Sequence, residues 1–132
     1  DDGSFGECSL LQKVTIPNSV KKIGKECFIN CSSLQEIELP TSLISIGNYA
    51  FSGCTQLKEI SIPSSVGSIG SHAFSNCSSL TKASFHSVNT IFGVNMFKGC
   101  SLSEVSCPAP LNVNASKPMI GIDSTVLVKK LE

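Results

Sequence analysis

Leu57-Lys58-Glu59-Ile60-Ser61-Ile62-Pro63, continued by Val66, Ile69-Gly70, Ala73-Phe74 and Cys77, is the stretch whose reading decides the fold. Apolar Ile60 and Ile62 alternate with polar Glu59 and Ser61, the period-two pattern of a strand with one buried face. Pro63 has no N–H to donate and closes that strand. Beyond it Val66 and Ile69 point back inside and Gly70 allows a tight change of direction. The Ala73-Phe74-x-x-Cys77 spacing predicts one or two helical turns with Phe74 and Cys77 on one face. Ser52, in the variable slot after Phe51, is expected to face solvent. A unit of strand, corner and short helix is too small to bury its own apolar side, so it needs a stacked neighbour.

Outward from this stretch the same unit recurs every 23 residues. Phe5, Phe28, Phe51, Phe74 and Phe97 each stand three positions before Cys8, Cys31, Cys54, Cys77 and Cys100. In the same register run Leu11, Leu34, Leu57 and Leu80, then Ile23, Ile46, Ile69 and Phe92, then Gly24, Gly47, Gly70 and Gly93. A fixed period of this length is the signature of a solenoid, in which like residues form ladders about 4.7–4.9 Å apart along the axis. Regularity decays toward the C-terminus. His86 takes the Pro slot, the next apolar residue shifts to Val88, and the unit after Cys100 is one residue shorter. After Cys107-Pro108-Ala109-Pro110 the pattern ceases, and 123–128 offers one more strand-like run to cover the last coil. The expected organisation is therefore 1–107 as repeats, about five units with the first one partial, and 108–132 as a C-terminal capping segment with a final strand. Because repeat arrays need a polar cap at each exposed end, the start halfway through a unit predicts the C-terminal fragment of a longer solenoid.

The pattern L-x-x-[IL]-x-[IL]-P-x-x-[VL]-x-x-I-G-x-x-A-F-x-x-C, which 57–77 fits throughout, resembles the BspA-like class of leucine-rich repeats. The resemblance covers 1–107. It implies an α/β repeat, a right-handed leucine-rich-repeat solenoid with a parallel β-sheet. It also implies a concave sheet as the usual binding surface, and adhesion or interaction proteins of bacteria and parasitic protists, at the cell surface or secreted.

Seven cysteines admit several chemistries. Five occupy one repeat slot, Cys27 takes the Ala slot and Cys107 an inward strand slot, so all seven fall where a small apolar residue belongs. A reduced packing ladder is expected, which suits a cytoplasmic, reducing compartment as the alternative location. A zinc site needs four convergent ligands, usually as two close pairs. Cys27-x-x-x-Cys31 is the one close pair, and His72 and His86 fall in different slots, so no metal is expected. Apolar burial also makes a thiol inert as a nucleophile. Gly67-Ser68-Ile69-Gly70 is a corner without the lysine of a phosphate loop. Asn30-Cys31-Ser32, Asn76-Cys77-Ser78 and Asn114-Ala115-Ser116 match the N-glycosylation acceptor pattern, the first two as products of repeat slots. Tyr49 and His72 sit in neighbouring variable slots and are expected to be solvated.

Ten Lys against ten Asp and Glu leave no net charge, which removes the electrostatic footprint of a nucleic-acid binder. No apolar run approaches the length of a membrane-spanning helix, and 1–5 shows neither the basic start nor the apolar run of a signal peptide. No pair of catalytic side chains and no cofactor motif emerges, so the expectation is a non-enzymatic protein with no cofactor. The outward strand slots carry what remains: Lys13, Glu36, Glu59, Lys82 and Glu104 in one row, Glu38 and Ser61 in the next, and Lys58 beside them. Lys13 with Glu36, and Glu59 with Lys82, are expected to pair across one strand spacing, while Glu36 beside Glu59 sets like charges together. These eight residues are the predicted protein-binding face. It lacks aromatic and Arg anchors, which predicts weak contacts strengthened by multivalency. The function expected is a protein-interaction or adhesion module; the alternative is a structural spacer within a longer repeat array.

Overall fold

The computed structural model describes residues 5–87, 90–107, 121–122 and 127–130. Val88, Asn114 and most of the expected capping segment lie outside these residues.

Each coil supplies a strand from its Leu-x-x-Ile-x-Ile stretch and a two-residue strand before its glycine corner. The first kind are β1 (Lys13–Thr15), β3 (Glu36–Glu38), β5 (Glu59–Ile62), β7 (Lys82–Phe85), β8 (Glu104–Cys107) and β9 (Leu127–Lys130). The second kind are β2 (Lys22–Ile23), β4 (Ser45–Ile46) and β6 (Ser68–Ile69). Pairing is parallel throughout the described residues, in the orders β1-β3, β2-β4-β6 and β5-β7-β8-β9. Partners lie one repeat apart: Val14 faces Ile37, Ile46 faces Ile69 and Ile60 faces Ala83. The register contracts by one at Ala83 and Val105, where the last unit has lost its residue. β3 and β5 adjoin without a ladder of backbone bonds between them. That boundary is where Glu36, Glu38 and Glu59 bring three carboxylates together, and like-charge repulsion opposes close pairing there.

The predicted helix is absent. Among the described residues there is no helical element, and the segment from the glycine corner to the cysteine is a run of turns. The α/β class and the short helix of each unit are therefore corrected to a parallel-strand β-solenoid. The cause lies in the backbone. Glu26, Tyr49, His72 and Asn95 form one column with φ between 56° and 58°, and Asn30, Gly53, Asn76 and Gly99 form a second with φ between 57° and 82°. A left-handed residue every fourth position stops helical propagation, and the chain makes i to i−3 turns instead, such as Ala73 N–H to Gly70 O and Cys77 N–H to Phe74 O. The remaining donors reach the next coil. Phe28 N–H bonds Ala50 O at 2.8 Å, Phe51 N–H bonds Ala73 O at 2.7 Å and Phe74 N–H bonds Met96 O at 2.8 Å.

The corner glycines act differently from their expected role. Gly47 has no left-handed φ; a Cβ there would lie 2.6 Å from Lys25 N, so the glycine serves the close approach of stacked backbones.

Inside the coils, the phenylalanine column is a continuous stack. Ring centroids are 5.2 Å apart from Phe5 to Phe28 and from Phe28 to Phe51, then 5.3 Å to Phe74 and 5.7 Å to Phe97. Leu34, Leu57 and Leu80 and the inward strand residues complete the core. Ser52 belongs to it as well, which corrects its expected exposure. It is buried and shares a 2.9 Å hydrogen bond with buried Ser75 one coil on.

Candidate functional site

Strand pleating turns Ile37, Ile60, Ala83 and Val105 inward and sends the residues on either side of them out. The outward row runs Lys13, Glu36, Glu59, Lys82 and Glu104, with Thr15, Glu38, Ser61, Ser84 and Ser106 beside it. Glu36, Lys58, Glu59, Ser61, Lys82 and Glu104 line a shallow depression of about 580 Å³ that crosses the boundary between β3 and β5. Glu38 and Ser61 line an adjoining hollow of about 540 Å³ with His86 at its far side. Lys13 stands outside both, at the start of the row. The structure therefore brings six of the eight predicted residues into one concavity and places the other two at its margins.

The charges along this row are used unevenly. Lys13 Nζ lies 3.6 Å from Glu36 with both side chains about 70% exposed, so the pair contributes at most about 1 kcal/mol. Lys129 Nζ lies 3.2 Å from Glu104, a partner that the sequence did not suggest. It crosses diagonally, because β9 sets Lys129 opposite Ser106. Glu59 and Lys82 are register neighbours, yet no ion pair joins them among the described residues. The centre of the face thus keeps Lys58, Glu59 and Lys82 available while both ends are ion-paired.

A hydroxyl–imidazole contact was not foreseen. Ser61 Oγ and His86 Nε2 are 3.1 Å apart at the edge of the face. The sequence signal was the replacement of the strand-closing proline by His86. No carboxylate among the described residues orients that ring, so the pair lacks the third member of a nucleophilic triad. Tyr49 and His72 are likewise not simply solvated: their rings stack at 4.8 Å with planes 1° apart.

The cysteine column lies beneath. None of the seven cysteines is in a disulfide, and Cys27, Cys31, Cys54, Cys77 and Cys107 are buried. From Cys31 on, each thiol in the main column donates to a phenylalanine carbonyl of the preceding coil: Cys31 Sγ to Phe5 O at 3.1 Å, Cys54 to Phe28 O at 3.3 Å, Cys77 to Phe51 O at 3.1 Å and Cys100 to Phe74 O at 3.0 Å. Cysteine is thus a small residue that also supplies a weak donor. Burial pushes the Cys31 thiol up to about 11, and the neighbouring thiols of Cys100 and Cys54, with burial, hold Cys77 well above the usual thiol range. Both stay protonated and unreactive near neutrality. Among the described residues no group of three His, Cys, Asp or Glu is arranged to hold a metal ion. No helix there is long and apolar enough to cross a membrane.

With this geometry in hand, comparison with known proteins is informative about kind. A family model described as BspA type leucine rich repeat region matches residues 1–117 in six copies. No curated protein matches the sequence. Among solved structures, a leucine-rich repeat protein from Bacteroides ovatus is 28% identical, with a TM-score of 0.78 over 98% of this chain and 33% of its own. A leucine-rich repeat protein from T. pallidum is also 28% identical, with a TM-score of 0.76 over 98% of this chain and 64% of its own. The pneumococcal vaccine antigen PcpA, 20% identical with a TM-score of 0.74, shares the fold over 99% of this chain and 38% of its own. The chain thus spans less than two thirds of each of these proteins.

Proposed function

We propose that this chain, which belongs to the BspA type leucine-rich repeat family, works as a non-enzymatic protein-interaction or adhesion module that binds through its outward strand face. The observation that carries this reading is the depression over β3, β5, β7 and β8, where Lys58, Glu59 and Lys82 lie exposed and without ion-pair partners among the described residues. Charges left unpaired on a rigid, in-register surface can meet a partner's charges without first breaking internal pairs, which favours electrostatic selection and fast encounter. In this reading the coils wind right-handedly, as parallel crossover connections generally do. The face offers Ser61, Ser84 and Ser106 but no aromatic or Arg, so each module binds weakly and gains strength by repetition across a longer array or many copies. Display at the cell surface or secretion is the location that matches this reading.

The absence of an anchor residue on the face favours one other reading, a spacer that extends a longer array. The two separate by experiment. Reversing the central pair, Glu59→Lys with Lys82→Glu, preserves the local charge balance and should leave the melting midpoint unchanged. Capture of a partner from the native environment by the immobilised chain should weaken at least tenfold. Undiminished capture by the reversed chain, or no capture even when upstream repeats are added, removes the strand-face reading.

A further inference from the structure

The hollow at the edge of the strand face, of about 540 Å³, is lined unlike the depression beside it. The depression mixes both signs of charge, with Lys58 and Lys82 set among its carboxylates. The hollow holds Glu38 and no lysine. Its other polar groups are the hydroxyls of Thr41, Ser61 and Ser64 and the imidazole of His86, while Leu39 and Pro63 supply apolar wall. Ligand clefts run from roughly 300 to 1,000 Å³, so the hollow is large enough to admit a long side chain.

Charge and hydrogen bonding here both point to a cationic occupant. The boundary between β3 and β5, where no ladder of backbone bonds joins the strands, carries three carboxylates. Glu36 is matched by Lys13, and Glu59 shares its depression with Lys58 and Lys82. Glu38 is exposed, with no ion-pair partner among the described residues; its row neighbours are Thr15, in register one coil before, and Ser61, one repeat after. Around it the hydroxyl oxygens are open to accept. Ser61 Oγ lies 3.1 Å from His86 Nε2, and in either tautomer of the imidazole the Ser61 oxygen keeps a lone pair free. His86 is itself fixed by its N–H, which bonds Ile62 O at 3.1 Å, a bond that the proline of earlier coils cannot make. Thr41 and Ser64 are exposed, and their hydroxyls have no protein partner among the described residues. A carboxylate with oxygens spread around a hollow suits an ammonium, a compact cation with three donors; a guanidinium presents a planar fork that favours a flat carboxylate opposite. The apolar wall suits the methylene stem that carries an ammonium in lysine.

We propose that this hollow takes a lysine side chain of the partner protein, its ammonium bonded to the Glu38 carboxylate and the Ser61 and Ser64 oxygens and its stem laid against Leu39 and Pro63. Charge complementarity selects a cation, because the hollow presents one unmatched carboxylate and a set of acceptors. The apolar wall selects a cation on an alkyl stem over a bare ion. Glu38 and Ser61 belong to the strand face, so the lysine site rests on the strand-face reading and names the chemistry of its partner.

The test is an NMR titration of the full 132-residue chain at low salt with millimolar N-acetyl-lysine N-methylamide. Amide shifts should centre on Glu38, Leu39, Ser61 and Ser64. The norleucine equivalent, which keeps an alkyl stem and lacks the charge, should give none, and the arginine equivalent should bind more weakly than lysine. Glu38→Gln should weaken lysine binding about fivefold with an unchanged melting midpoint, as loss of an exposed charge pair does. Ser61→Ala with Ser64→Ala should weaken it partly. Glu26→Gln removes the same charge outside the hollow and should leave it unchanged. No shifts with lysine, equal binding of norleucine or arginine, or equal losses in Glu38→Gln and Glu26→Gln would overturn the lysine site. The same shifts produced by calcium chloride at lower concentration would identify an inorganic cation as the occupant and overturn it equally. Partner capture by the chain with Glu59 and Lys82 reversed reads the strand face itself, so failure of the lysine site and failure of that face are told apart.

Discussion

Replacing Phe51 by alanine removes the middle ring of the stacked column. Phe51 is fully buried, its ring centroid lies 5.2 Å from Phe28 and 5.3 Å from Phe74, and the planes are within 3° of parallel. Truncating a buried phenylalanine costs about 3–5 kcal/mol, and two stacked contacts place this position toward the upper end. The cavity should collapse poorly, because backbone bonds from Phe51 N–H to Ala73 O and from Phe28 N–H to Ala50 O fix the coil spacing on both sides. With an unfolding entropy of about 2.1 cal/mol/K per residue, a chain of this length should lose roughly 11–18 °C in Tm. Circular dichroism melts of Phe51→Ala should be set against Leu10→Ala, whose side chain is 89% exposed and whose loss should cost under about 0.5 kcal/mol. Coincident melts for the two variants would refute the ladder register and the stacking argument together.

Three further outcomes are expected. Ser52→Ala should destabilise by about 1–2 kcal/mol because it leaves the buried Ser75 hydroxyl without its partner, and adding Ser75→Ala should recover part of that loss in urea melts. Mass spectrometry after alkylation should count seven reactive thiols in denaturant, with Cys31, Cys54 and Cys77 protected in the native chain near neutral pH. Stability should decline above pH 9: the unfolded Cys31 thiol ionises near 9.0 while the folded one holds its proton to about 11, so the unfolded state binds fewer protons across that window. Urea melts at pH 8 and pH 10 should show Cys31→Ala losing less over the interval, by about 1.4 kcal/mol for the one thiol.

The parallel ladders were legible because strand alternation and a fixed repeat period constrain each other. Once Ile60 and Ile62 face inward, a spacing of 23 residues forces Ile37 and Ala83 into the same layer, and the observed register follows. The turn segment was misread because Phe and Cys three apart share a face in a helix and also in successive turns. Side-chain periodicity cannot separate the two. The deciding information lay in Asn30, Gly53, Asn76 and Gly99, a column of the residue types that adopt positive φ most readily. Tyr49 and His72 concealed the second left-handed column, since bulky residues there are unfavourable on local grounds and are held by bonds such as His72 N–H to Val94 O. Ser52 was misplaced for the same reason: a helix would have turned it outward, whereas the turns direct it at Ser75.

For the strand face, position was readable and pairing was not. Outward slots follow from pleating, so Glu36, Glu59, Lys82 and Glu104 could be assigned to one row from the period alone. Whether two charges on neighbouring strands meet depends on rotamers and on which other partners are within reach. Glu104 illustrates this, since its carboxylate turns to Lys129 on the last strand while Lys82, in register beside it, forms no ion pair among the described residues. In a repeat protein the shared slots report the scaffold, and recognition must be sought where neighbouring coils differ. Lys58, Glu59 and Lys82 on the strand face are such differences. Each persists as an exposed group that stacking alone would not demand. Substitutions at these positions should therefore change binding at little cost in stability, whereas the same changes in the Phe, Cys or corner-glycine columns should do the reverse.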